Sequence, residues 1–214
     1  MKSKIGVICI VLGAILISGA LLLAFYNMHQ ETAAQDAVIS IMPQLVEKIE
    51  INKGPVVTER EEESFPELDL KVPVELLTEE DKKMTEVEIN GYSYIGYLTI
   101  PVLELELPIM SDWSYPQLKI SPCRYYGSIR GEDLVLMAHN YNSHFGRISQ
   151  LQIDDQLLFT DMDGNITEYK VVGMDILDPS AVEAMIAGDF DLTLFTCTYG
   201  GASRVTVYCD LVRP

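Results

Sequence analysis

Three residues of this 214-residue chain have side chains suited to covalent catalysis: Cys197, His139 and Arg204. A cysteine sulfur becomes a useful nucleophile when a base or a cation stands beside it. Histidine is the side chain that exchanges a proton most readily near neutral pH. Arginine carries a rigid fork of N–H donors, suited to holding a developing negative charge. The other histidines are less well placed. His29 adjoins an apolar N-terminal stretch, and His144 sits in the loop segment Tyr141-Asn142-Ser143-His144, where solvation is expected.

The elements that must position these residues can be read locally. Asp191 to Tyr199 and Ser203 to Val212 have strand composition and flank Gly200-Gly201, which suits a two-residue hairpin turn. Such a turn opposes Thr196 to Val205, Leu194 to Val207 and Leu192 to Cys209. That face is apolar and turns inward. The other face, away from the core, opposes Cys197 to Arg204 and Phe195 to Thr206, because side chains alternate strictly along a strand. The same register sends Thr196 inward and makes Cys209 a small core residue, too far round the strand to pair with Cys197. His139 directly follows the apolar run from Asp133 to Ala138, a short buried strand, and so stands at a strand end.

The four cysteines are Cys9, Cys123, Cys197 and Cys209. Cys9 lies in the apolar run, and the other three cannot all pair within one molecule, so at least one thiol is free or linked to another chain. Cys123 reads as structural or as a spare thiol.

Ile5 to Tyr26 contains no charge and is long enough to cross a bilayer. Lys2 and Lys4 are the only charged residues before Glu31, and they favour a cytoplasmic N-terminus with the rest of the chain outside. The length of the run favours an uncleaved anchor over a signal peptide. The formal net charge of −17 excludes nucleic acid as a partner, since phosphate binding needs Lys and Arg.

Between Glu31 and Glu50, Ala34, Val38, Ile41, Met42, Leu45 and Ile49 recur at helical spacing, predicting an amphipathic helix that Pro43 kinks or splits. From Ile51 to Glu86, prolines and the Glu61-Glu62-Glu63 run suggest a linker of low order. Strand signals then dominate. Tyr94 to Met110 reads as two strands broken at Pro101, and Leu157–Thr160 and Ile166–Val172 flank an Asp163-Gly164 turn. The Asp161–Asn165 segment superficially resembles a calcium loop, but it lacks the closing Glu, and a hairpin turn is expected. A short helix is expected after Pro179, with Ser180 as its cap and Glu183 completing a capping box. The chain thus divides into a tip and anchor (1–27), a stalk (28–86) and a mainly β barrel with short helices (87–214). No residue pattern calls for a cofactor or a metal.

At these residues the chain resembles the sortase family. Thr193-Leu194-Phe195-Thr196-Cys197 is similar to that family's Thr-Leu-x-Thr-Cys signature, an Arg follows on the next strand, and a His follows an apolar strand before it. The resemblance implies an eight-stranded β-barrel outside a Gram-positive type of membrane. It implies a thiol enzyme that cleaves a Leu-Pro-x-Thr-Gly-like sorting signal of exported surface proteins. The resulting thioester on Cys197 is passed to an amine on a cell-wall precursor or a pilin. His139 would protonate the leaving amine, Arg204 would hold the oxyanion or the signal backbone, and Thr196 and Asn140 would contact substrate. The family's pilin-polymerising members usually carry a second membrane segment and an Asp-Pro-aromatic lid. Neither is read here, which favours wall anchoring. Two rivals are a non-enzymatic extracellular β-domain, such as an adhesin or wall-binding module with Cys197 buried or disulfide-linked, and a cysteine peptidase that releases its product to water.

Overall fold

The computed structural model describes residues 2–53, 78, 80, 82–187 and 189–213. The N-terminal apolar run and the stalk repeat form one helix, α1 (Lys2–Asn52). Its apolar portion is long enough to cross a membrane, and none of that stretch is buried against the protein. Of the two effects expected of Pro43, a kink or a split, the split does not occur: α1 runs through it. A proline inside a helix removes one hydrogen bond and costs about 3 kcal/mol. Packing on either side offsets that cost, because Ala34, Val38, Ile41, Leu45 and Ile49 are buried against the barrel. The stalk helix is therefore a docked element. Most of the expected linker, residues 54–77, lies outside the described residues.

The strands are β1 (Val87–Ile89), β2 (Tyr92–Ile100), β3 (Leu105–Met110), β4 (Cys123–Tyr126), β5 (Leu134–Ala138), β6 (Gln156–Asp161), β7 (Ile166–Leu177), β8 (Leu192–Cys197) and β9 (Arg204–Leu211). Their order is β1-β2-β3-β4-β5-β8-β9-β7-β6, and β6 returns to pair with β2. Eight strands, β2 to β9, thus close a barrel, and β1 is a short addition beside the first residues of β2. Pairing is antiparallel except for β3–β4 and β5–β8, which are parallel. Gly96 makes the closing seam possible. Its φ is +142°, and a Cβ there would strike the Thr160 carbonyl of β6. The barrel interior holds Leu98, Leu107, Leu136, Phe159, Leu194 and Val207, all essentially without solvent contact.

Pro101 breaks the β2–β3 segment as expected, within a 3-10 turn (Pro101–Leu103). The β6–β7 turn is organised by Asp161, whose carboxylate accepts the backbone N–H groups of Asp163 and Asn165 and the Asn165 amide. The short helix α2 (Tyr115–Leu118) is capped by Ser114. The helix after Pro179 is α3 (Val182–Ile186), but its N-cap is Ala181 and no capping box forms. Ser180 instead donates its backbone N–H and hydroxyl to the Asp178 carboxylate, 2.9 and 2.6 Å away. The short strands β1 and β4 have no clear periodic signature, and only their pairing defines them.

Candidate active site

The hairpin register is the one expected from the sequence. Cys197 opposes Arg204, Phe195 opposes Thr206, Thr196 opposes Val205 and Leu192 opposes Cys209. The connection is longer than a two-residue turn, because a 3-10 turn (Tyr199–Gly201) lies between the strands. Gly200 and Gly201 take φ values of +81° and +75° there, which other residues adopt only with strain.

Parallel pairing supplies the contact that the sequence alone does not show. β5 lies against β8 with Ala138 opposite Thr196. The next residue along each strand is His139 and Cys197, so both follow at the same edge. Side chains on parallel strands in register point to the same face. The ends of β5, β8 and β9 therefore carry His139, Cys197 and Arg204 side by side on the outer surface of the barrel. All three line one cleft of about 270 Å³. Asn140 and Thr196 line it too.

The face away from the barrel interior is not simply solvated. Phe195 is buried there with Val135 and with Met185 of α3, so this helix forms one wall of the cleft. Trp113, Tyr125 and Phe195 form an aromatic ladder, with ring centroids 5.7 and 5.2 Å apart. Trp113 and Tyr115 are 40% and 78% exposed and border the cleft. They pack edge-on against each other, with ring centroids 5.9 Å apart, and leave an open apolar rim on the cleft.

Each side chain has a defined setting. Cys197 is a partly exposed thiol with no disulfide partner among the described residues. Cys123 and Cys209 are free and fully buried, and burial pushes the Cys123 thiol up to about 12 and that of Cys209 higher. Neither is poised as a nucleophile. Arg204 donates from Nη1 to the Gly201 and Ser203 carbonyls. Its Nε and Nη2 make no hydrogen bond among the described residues. Thr196 is buried, and its hydroxyl donates to the Ala138 carbonyl at 2.9 Å. That bond ties β8 to β5 at the residue before His139, so the inward register of Thr196 positions the strands.

His139 is half-buried, and its basicity is held below the ordinary value of 6.5. Burial is the main cause, the nearby Lys119 ammonium adds to it, and the Asn140 side chain works in the opposite direction. Tyr141 stacks on the imidazole with centroids 3.8 Å apart and planes 13° apart. Its other neighbour is His144, at 5.5 Å. The expected solvation of His144 is overturned. This side chain is fully buried, and its pKa is lowered to about 4, chiefly by burial and then by the charge of His139. Neither ring nitrogen has a well-formed hydrogen bond among the described residues, and the Ile120 backbone offsets the burial only in part. Tyr141 and Lys119 are site residues that local sequence does not reveal. Lys119 approaches His139 through the fold and Tyr141 from two residues along the chain, and neither carries a motif of its own.

The Sortase domain family model matches residues 98–212, more than half of the chain. Solved structures with a similar fold include a sortase C from Streptococcus pneumoniae at 20% identity and TM-score 0.52, covering 80% of this chain and 90% of that one. Sortase C1 from Streptococcus agalactiae is similar at 22% identity and TM-score 0.51, covering 56% of this chain and 70% of that one. The sortase D5 transpeptidase of Clostridium perfringens is similar at 20% identity and TM-score 0.51, covering 64% and 91%. These likenesses concern the fold. No curated protein sequence matches the chain. The family match spans β8 and β9 with the Thr-Leu-x-Thr-Cys segment, and this chain belongs to the sortase family.

Proposed function

We propose that the protein is a membrane-anchored cysteine transpeptidase that cleaves a C-terminal sorting signal, of the Leu-Pro-x-Thr-Gly type, in exported proteins and passes them to a cell-wall amine. The observation that carries this reading is the shared cleft of Cys197, His139 and Arg204 at one end of three neighbouring strands. The Cys197 sulfur attacks the scissile carbonyl as its proton passes to His139. Arg204 turns its unengaged donors toward the developing oxyanion or the signal backbone. His139 then protonates the leaving amine, and a thioester remains on Cys197. An incoming amine reverses these steps. Thr196 holds β5 and β8 together beneath the cleft, and Asn140 borders the substrate. The apolar rim of Trp113, Tyr115 and Phe195 suits the apolar residues of the signal. Lys2 and Lys4 favour a cytoplasmic N-terminus, with the barrel outside a Gram-positive type of membrane.

The test is incubation of the full chain in detergent with fluorogenic sorting-signal peptides, with and without an added amine, beside Cys197→Ala. Cleavage that needs Cys197 and yields amine adducts is expected. Release of acid alone, even with amine present, would identify a peptidase. No turnover and no labelling of Cys197 would identify a binding module.

A further inference from the structure

His139 also lines a second cavity, which adjoins the apolar cleft. It has a volume of about 340 Å³ and is bounded by His139, Asn140, Tyr141 and Tyr199 of the barrel loops. Its other wall is the middle of α1, just beyond the apolar stretch, with Gln30 and Glu31. The two cavities share Lys119, His139 and Asn140 and differ in character, since Trp113, Leu118, Met137 and Phe195 line only the first. Glu31 is half-buried, and one of its carboxylate oxygens accepts the Asn142 backbone N–H at 3.0 Å. This bond fixes the carboxylate against the loop that carries Tyr141, while the second oxygen makes no hydrogen bond among the described residues. Glu31 and Lys119 are the charged groups on this cavity besides His139 itself.

We infer that this cavity admits the acyl-acceptor amine, and that Glu31 of the anchor helix selects it by attracting its ammonium form. The inference rests on the transpeptidase reading and deepens it. A transpeptidase must bring two different molecules to one His–Cys pair, the peptide first and the amine second. An apolar cleft and a more polar cavity that share His139 meet that need. The ammonium docks at Glu31 and loses its extra proton to solvent. Its nitrogen then attacks the thioester carbonyl carbon and the C–S bond breaks. One of its two N–H protons passes through His139 to the Cys197 sulfur, and the other stays on the new amide. Lys119 lies on the same cavity and opposes the ammonium, so Glu31 is what makes the site attractive to a cation. The helix that anchors the protein thereby completes the active site.

The test uses the full chain in lipid nanodiscs and the acyl-enzyme formed from a sorting-signal peptide. Transfer and hydrolysis share one thioester precursor, so their ratio is independent of how fast that precursor forms. The ratio is measured with propylamine, which is cationic at neutral pH, and with hydroxylamine, which is not. Glu31→Gln keeps an oxygen for the Asn142 N–H and removes the charge. The expected result is a roughly two- to fivefold loss of transfer to propylamine relative to hydroxylamine, the scale of one partly screened charge contact. Equal changes with both nucleophiles, or no change with either, would overturn the inference and leave the transpeptidase standing. A wild-type chain that forms no thioester with any peptide would remove both.

Discussion

At the residue scale, the setting of His139 determines its protonation before any substrate arrives. Burial and Lys119 hold its pKa below 6.5, so the imidazole is neutral in the resting site at neutral pH and ready to take the Cys197 proton. The acid limb of the kcat/KM profile for peptide cleavage is therefore expected below pH 6.5. Lys119→Gln removes one lowering influence and should move that limb to higher pH; a limb that stays put would separate Lys119 from His139. His144 gives a second pH signature, this time in stability. Its folded pKa of about 4 lies below the unfolded value of 6.5, so the unfolded chain binds the extra proton first. Its stabilising contribution is complete above pH 6.5 and declines as pH falls toward 4, by up to about 3 kcal/mol. Urea unfolding across that window should show a steeper loss for wild type than for His144→Gln. Parallel curves would show that His144 titrates normally.

At the element scale, α1 serves two environments. Its first half is apolar on all sides and its second half carries one buried stripe, as a helix that leaves a bilayer and docks on a domain requires. Leu45 is wholly buried with Tyr94, Met110 and Met162 beneath the helix. Leu45→Ala should cost about 2–5 kcal/mol if the docked helix unfolds with the barrel. Denaturant unfolding measures this, and a loss under 1 kcal/mol would mean that the helix is a separate unit. The helical stripe from Ala34 to Ile49 was legible because a repeat of period 3.6 needs only local sequence. The continuity of α1 through Pro43 was not, because packing against β1 and β3 decides it. The same contrast holds at α3, where Ser180 had two possible partners and the Asp178 carboxylate took it from the helix end.

At the scale of the whole molecule, the four thiols report on topology. Cys197 is half-exposed in the cleft, Cys123 and Cys209 are buried, and Cys9 lies on the apolar part of α1. A membrane-impermeant maleimide applied to intact cells that display the barrel outside should modify one cysteine, and Cys197→Ala should abolish the signal. Labelling that appears only after the membrane is opened would place the barrel inside.

The sequence by itself determined what depends on neighbours along the chain. Alternation and a glycine turn set the register of β8 and β9, and with it the pairing of Cys197 with Arg204 and the burial of Cys209. Composition and length defined the apolar helix, and the run before His139 defined its strand. Only the tertiary structure decided what depends on segments far apart meeting. The parallel union of β5 and β8 sets His139 beside Cys197 across 58 residues of sequence. The closing of β2 on β6 through Gly96, the burial of His144 and the approach of Glu31 to the loop after His139 belong to the same class. The physical reason is that periodicity records which face of an element is apolar. It does not record which other element covers that face, and at this site the covering elements set the electrostatics.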